Sequence, residues 1–99
     1  MNWTKTAQVK NRFRVHIKTL LSLRRAFITS MESRGFTSYN SIPKFVGEKE
    51  IEMDFCIEFS DETDLIKIKT RTKYALENLM KKYNDKWSEI TYFKSTGEK

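Results

Sequence analysis

The sequence predicts an α+β fold, with two helices packed on one face of an antiparallel sheet. Two segments, residues 12–19 and 49–60, alternate between apolar and polar side chains, which is typical of half-buried strands. Each is followed by a segment in which apolar residues recur at helical spacing. A chain of 99 residues has the size of one domain with one hydrophobic core.

The first predicted strand, residues 12–19, has an apolar side and a basic side. The apolar side comprises Phe13, Val15 and Ile17. The basic side comprises Arg12, Arg14, His16 and Lys18. A row of this kind can bind a phosphate backbone, or it can lie beside carboxylates of a neighbouring strand.

The first helix is predicted between Ser22 and Gly35. Ser22 is a suitable N-cap, and Leu23, Phe27 and Met31 recur every four residues. We expect Gly35 to end the helix in the left-handed conformation.

Residues 36–46 are less regular, and we predict a weak strand at the sheet edge because Pro43 lacks the N–H that a central strand requires. A turn at residues 47 and 48 leads into the strand of residues 49–60, which has the clearest alternation in the chain. One face of that strand carries Ile51, Met53, Phe55, Ile57 and Phe59. The other face carries Glu50, Glu52, Asp54, Cys56 and Glu58.

The second helix is predicted from Ser60, as its cap, to about Asn84. The carboxylates that follow Ser60 favour a helix start because they interact well with the helix dipole. The apolar stripe of this helix comprises Leu65, Ile68, Thr72, Ala75, Leu76, Leu79 and Tyr83. Residues 65–70 also alternate, so an alternative interpretation makes them a strand paired with the preceding one.

A last strand is predicted over residues 87–95. The resulting order, βαββαβ, is the ferredoxin-like arrangement, in which the first and third strands are neighbours and both helices cover one face. We expect residues 1–11 to form a basic N-terminal arm, residues 12–95 a single ferredoxin-like domain, and residues 96–99 a C-terminal tail.

This adjacency places the basic side of the first strand beside the carboxylates of the third. Opposite charges across neighbouring strands contribute roughly 0.2–1 kcal/mol per pair and help to fix the register. We therefore interpret the basic row chiefly as a structural feature. A charge reversal at Arg14 is expected to destabilise the fold more than it changes nucleic-acid binding.

The order of elements resembles that of the RNA-recognition motif, a family that stacks RNA bases on aromatic side chains of its two central strands. The corresponding positions in this sequence are Arg14, Asp54 and Cys56, and none of them is aromatic. The resemblance therefore implies a similar fold without base stacking on the sheet.

The composition excludes several classes of protein. One cysteine and one histidine cannot form an intramolecular disulfide or a zinc cluster. The sequence contains no stretch with the pattern of a membrane span or a signal peptide, so we expect a cytoplasmic protein that does not bind membranes. It also lacks phosphate-binding glycine loops and catalytic motifs, which predicts a non-enzymatic protein without a cofactor or metal.

The formal charge of +6 favours an anionic partner. Arg24 and Arg25 oppose the dipole at the start of the first helix, an indication that they serve a partner. The candidate contact residues for nucleic acid or an acidic partner are Lys5, Lys10, Arg24, Arg25, Lys67, Arg71, Tyr74, Lys81 and Lys82.

Two functional hypotheses follow. The first is a small basic binding protein that contacts the phosphates of DNA or RNA through these side chains. The alternative is a protein-interaction module, such as a phage or mobile-element inhibitor or accessory subunit of a host protein. That module would use the open face of the sheet or the edge at residues 36–46, where homo-oligomers could also form.

Overall fold

A computed structural model describes residues 11–38 and 44–95. The predicted arm, apart from Asn11, lies outside the described residues, as do Pro43 and the predicted tail. A short 3-10 turn, Leu21–Leu23, joins the first strand to the first helix. The strands are β1 (Asn11–Leu20), β2 (Thr37–Ser38), β3 (Lys44–Phe45), β4 (Glu50–Phe59) and β5 (Glu89–Ser95); the helices are α1 (Arg24–Glu32) and α2 (Glu62–Lys82).

The five strands form one antiparallel sheet in which β1 lies between β4 and β5. β2 and β3 both pair with the outer edge of β4. The α+β class is therefore confirmed, and so is the predicted adjacency of the strands that contain residues 12–19 and 49–60.

The predicted order βαββαβ is corrected to βαβββαβ, because two short strands replace the single edge strand predicted for residues 36–46. Ser38 pairs with Phe55, and Lys44 pairs with Glu52. Five residues lie between Ser38 and Lys44 in the sequence, whereas two lie between their partners Phe55 and Glu52, so β2 and β3 do not pair with β4 in one continuous register.

The hydrophobic core lies between the sheet and the two helices. Phe13, Val15 and Ile17 of β1 are buried in one cluster with Phe27 of α1 and Leu76 of α2. Burial of each such side chain stabilises the fold by roughly 1.5–3 kcal/mol. Both helices therefore cover the same face of the sheet, as the alternation in β1 predicts.

Helix α1 begins after the 3-10 turn, so Ser22 lies within the turn and the predicted Ser22 cap is wrong. The predicted end at Gly35 is confirmed, with φ at 91°. The N–H of Phe36 donates to the carbonyl of Met31 at 3.1 Å, and the N–H of Gly35 donates to that of Glu32 at 3.0 Å. This pair of hydrogen bonds is a Schellman motif, which requires the left-handed residue that glycine adopts most easily.

Helix α2 is continuous through residues 65–70, which excludes the alternative strand. Its cap is Asp61 and not Ser60, because Asp61 Oδ1 accepts the N–H of Asp64 at 2.9 Å. The helix ends at Lys82, two residues before Asn84, which is left-handed with φ at 52°, and the N–H of Asp85 then donates to the carbonyl of Met80 at 2.7 Å. Neither α1 nor α2 combines the length and apolar character needed to cross a membrane.

Candidate nucleic-acid interface

The open face of the sheet pairs the basic row of β1 with the carboxylates of β4. Lys18 lies opposite Glu52, and His16 lies opposite Asp54. His16 Nδ1 is 2.8 Å from Asp54 Oδ1, and His16 Nε2 is 3.7 Å from Glu52 Oε2. The predicted contact between a basic and an acidic row is therefore confirmed.

The alternation of charge continues across the whole sheet. Lys44 of β3, Glu52 of β4, Lys18 of β1 and Glu89 of β5 lie in one row. Among the described residues, the basic side chains of this face are Arg12, Arg14, Lys18 and Lys44, together with His16. Its carboxylates are Glu50, Glu52, Asp54, Glu58 and Glu89. Because four lysines and arginines lie among five carboxylates, this face has no excess of positive charge and does not attract a phosphate backbone.

Arg14 lies between Cys56 of β4 and Phe93 of β5 instead of directly opposite a carboxylate. Its guanidinium carbon is 5.7 Å from the centre of the Phe93 ring. Arg14 therefore forms a cation–π contact with Phe93, and a ligand that stacked on the Phe93 ring would compete with the guanidinium.

The excess of positive charge lies in the helical layer. Together, α1 and α2 carry eight lysines and arginines but four carboxylates. The two helices are antiparallel neighbours, so the start of α1 and the end of α2 border one groove. Residues from both helices line this groove, including Arg25, Asn78, Lys82 and Tyr83. The fold thus brings together basic residues that are far apart in the sequence.

The helix ends near this groove form the most basic region of the described chain, and we call it the basic end. It comprises Arg24, Arg25, Lys81, Lys82 and Lys86, from residues 21–31 and 78–88. The single carboxylate in these two segments, Asp85, is only 7% exposed. Asp85 Oδ1 accepts the N–H groups of Trp87 at 3.0 Å and Ser88 at 3.1 Å. The Asp85 carboxylate therefore binds donors inside the loop, and it does not form an ion pair with the cations at the surface of the basic end.

The candidate contact residues of α1 do not share one environment. Arg25 is exposed, but Arg24 is half-buried. Within the described part of the chain, the shielded Nε of Arg24 has no hydrogen-bond partner. Lys5 and Lys10 lie outside the described residues. Arg25 is therefore the α1 side chain best placed for a ligand.

The candidate residues of α2 extend along the whole helix. Lys67, Tyr74 and Lys81 are exposed and recur every seven residues, which places them on one side of the helix. Arg71 lies beside Arg34, in a depression away from the basic end. Lys82 alone of this set lines the groove next to Arg25.

At the basic end, the structure places two aromatic side chains in other environments than the sequence predicts. Tyr83 was predicted to belong to the buried stripe of α2, but it is 47% exposed. Trp87 was predicted to begin the last strand, but β5 starts at Glu89 and Trp87 is 67% exposed. The signal was present in KKYNDKW, residues 81–87, where lysines flank both aromatic residues around the helix-ending Asn84.

Other polar groups do not form a second site. Within residues 11–38 and 44–95, no group of three or more His, Cys, Asp and Glu side chains is arranged to hold a metal ion.

Tyr92 stacks on Phe13 with ring centres 5.9 Å apart. Burial, and next the negative charge of Glu77, raise the pKa of Tyr92.

No protein-family model matches this chain, and no curated protein matches it. A de novo designed protein, Foldit4, has a similar solved structure, with a TM-score of 0.60 and 13% sequence identity. The similarity covers 90% of this chain and 99% of the designed one. At this identity the likeness shows the fold alone, two helices on an antiparallel sheet.

Proposed function

We propose that this protein is a non-enzymatic nucleic-acid-binding protein that contacts phosphates through its helical layer. The observation that carries the proposal is the separation of charge between the two faces. Among the described residues, the open face of the sheet has four lysines and arginines against five carboxylates, whereas the helices have eight against four. A polyanion is therefore attracted to the helices and not to the sheet.

The expected binding is electrostatic and largely independent of sequence. Each cation that neutralises a phosphate releases counterions, so affinity falls as salt rises, with a logarithmic slope of about −0.7 to −0.9 per contact. If the five cations of the basic end all take part, the slope reaches about −3.5 to −4.5.

Fluorescence anisotropy with a labelled oligonucleotide, titrated at several salt concentrations, tests the proposal. The double variant Arg25→Gln/Lys82→Gln removes two cations that line one groove. We expect it to make the salt slope shallower by about 1.4–1.8. The matched control, Lys18→Gln/Lys44→Gln, removes two cations of the open sheet face and is expected to leave the slope unchanged.

Two results would contradict the proposal. One is the absence of binding to DNA or RNA at about 10 µM protein and about 50 mM salt, where non-specific phosphate binding is readily measurable. The other is an equal change of slope in both double variants, because the helices would then have no preference over the sheet.

A second candidate function is a protein-interaction module, such as an inhibitor or accessory subunit of a host protein. Exposed apolar side chains at the end of the sheet favour it: Leu21 is 41% exposed, Phe45 56% and Val46 38%. The Leu21 N–H donates to the Lys49 carbonyl at 2.7 Å, which holds this residue beside the turn that follows β3. Clusters of this kind often mark protein interfaces.

A pull-down from nuclease-treated lysate distinguishes the two functions. A stoichiometric protein that is captured by the unmodified chain and by Arg25→Gln/Lys82→Gln, but lost with Phe45→Ser, would favour the interaction module. Loss of all captured material after nuclease treatment would favour the nucleic-acid function.

We also propose that β2 and β3 are two halves of one interrupted edge strand, which would make the fold a ferredoxin-like one. Both pair antiparallel with the same edge of β4. Deleting residues 39–41 leaves two residues between Ser38 and Lys44, the same number that lies between their partners Phe55 and Glu52 in β4. We expect this deletion variant to fold with a continuous edge strand, visible as slowed amide hydrogen exchange. An unfolded product would contradict the idea.

A further inference from the structure

The basic end combines its cations with two aromatic side chains that the core does not use. Trp87 is 67% exposed and Tyr83 is 47% exposed. Lys82 Nζ lies 5.6 Å from the centre of the Tyr83 ring, and Lys82 and Tyr83 line the groove with Arg25. Lys86 immediately precedes Trp87 in the sequence. The loop that follows α2 therefore carries an exposed indole within six residues of Lys81, Lys82 and Lys86, and it can offer a flat ring to a ligand that also has negative charge.

The backbone that carries Trp87 is held in place although its side chain is exposed. The Trp87 N–H donates to Asp85 Oδ1 at 3.0 Å, and the Ser88 hydroxyl bonds to the same carboxylate. Ser88 Oγ also lies 2.6 Å from Thr19 Oγ1 of β1. These bonds tie the loop to the sheet, so little backbone freedom would be lost when a ligand stacks on the indole.

These features point to single-stranded nucleic acid and not to a duplex. An unpaired base exposes a flat face that stacks on an aromatic side chain, while its phosphate meets a nearby cation. In a duplex the bases are already stacked on one another, and mainly the phosphates are offered to a flat basic surface.

The open face of the sheet is a poorer platform for stacking. Among the described residues, its exposed aromatic side chain is Phe93, which already has the Arg14 guanidinium near its ring. The carboxylates of that face outnumber its lysines and arginines, so the face gives no net attraction for phosphates.

Resting on the proposed nucleic-acid function, we propose that residues 81–87, together with Arg25, form a binding site for single-stranded DNA or RNA. One base stacks on Trp87, and the phosphates next to that base bind Arg25, Lys82 and Lys86. Tyr83, like Phe93, has a cation near its ring and is not assigned a base. The site accepts any base sequence, since every base has a flat face.

The test compares a labelled single-stranded oligonucleotide of about 15 nucleotides, long enough for one binding site, with a duplex of the same length and sequence. Trp87→Leu removes the aromatic face but no charge. We expect it to weaken single-strand binding by about 5- to 150-fold, to leave duplex binding within about twofold, and to keep the salt slope. The matched control is Phe93→Leu, which removes an exposed aromatic ring from the open sheet face and should leave both affinities unchanged.

An emission measurement gives an independent readout. The chain has two tryptophans, Trp3 and Trp87. In a Trp3→Phe variant the emission comes from Trp87, and we expect the single strand to quench it at low salt, with the quenching reversed as added salt releases the strand. Thermal unfolding of each variant shows whether it is folded.

The outcomes separate this inference from the proposed function. If single strand and duplex bind equally and Trp87→Leu changes neither affinity, the stacking site is refuted while phosphate binding stands. If the unmodified chain binds neither nucleic acid, the proposed function fails and the stacking site fails with it. A larger effect of Phe93→Leu than of Trp87→Leu would place stacking on the sheet and refute the inference.

Discussion

Replacing Asp85 with alanine is expected to destabilise the protein more than most single substitutions would. Asp85 is 7% exposed and follows the left-handed Asn84 that ends α2. Its carboxylate accepts the N–H groups of Trp87 and Ser88 at 3.0 and 3.1 Å, and it also accepts the Ser88 hydroxyl. Asp85→Ala leaves all three donors without this acceptor.

The magnitude follows from the number and kind of these bonds. A hydrogen bond to a charged acceptor contributes about 1.5–3 kcal/mol in net terms. Water can reach part of the loop because Trp87 is exposed, so some of the loss is recovered. We expect the free energy of unfolding to fall by about 2–4 kcal/mol, a large part of the 5–15 kcal/mol typical of a small domain.

Urea unfolding, followed by far-UV circular dichroism, measures this loss from the midpoint and the slope. Asp61→Ala serves as the comparison, because it removes an exposed cap that accepts one backbone N–H and should cost about 1 kcal/mol. A loss for Asp85→Ala no larger than that for Asp61→Ala would refute the reasoning. A double-mutant cycle with Ser88→Ala should show coupling of at least about 0.5 kcal/mol, since the two residues share one network.

Three further predictions concern the helix ends and Tyr92. Asn84→Gly should stabilise the protein by about 0.5–1 kcal/mol in urea unfolding, because φ is 52° there and glycine adopts this conformation without strain; a loss would contradict this. Arg25→Glu should raise the free energy of unfolding by up to about 1 kcal/mol, because a carboxylate interacts favourably with the helix dipole at the start of α1, and it should weaken nucleic-acid binding. A variant that loses both stability and binding would contradict the proposed role of Arg25. The raised pKa of Tyr92 means that the folded state holds its proton more tightly than the unfolded state. The contribution of Tyr92 to stability is therefore complete below about pH 10 and declines above it. Tyr92→Phe should remove this decline from the urea midpoints measured across that pH range, whereas the control Tyr74→Phe should keep it.

The sequence predicts the central strands well because their side-chain alternation is long and strict. β1 and β4 each extend over 10 residues and lie side by side, as their opposite charges require. Gly35 was recognisable as the end of α1 because few other residues tolerate its conformation. These features depend on short-range patterns that a single sequence contains.

Some features were missed because neighbouring residues suit the same role, and others because their partners are distant in the sequence. The Ser60 cap was wrong because Asp61, one residue further on, is also a strong cap, and composition alone does not choose between neighbours. Trp87 was placed in a strand because the sequence pattern does not reveal the loop held by Asp85. Ser88 reaches Thr19 across 69 positions of the chain, and no local pattern indicates such a bond.

The charged rows on β1 and β4 select the neighbour but do not determine the alignment. If β4 slipped by two residues, Arg14 would face Asp54 and Lys18 would face Glu50, so opposite charges would still meet and apolar residues would keep their face. The native register therefore depends on contacts outside the ladder, namely the packing of apolar side chains of β1 and β4 against both helices. The charge pattern accepts more than one alignment of the two strands, and the shape of the core distinguishes between them.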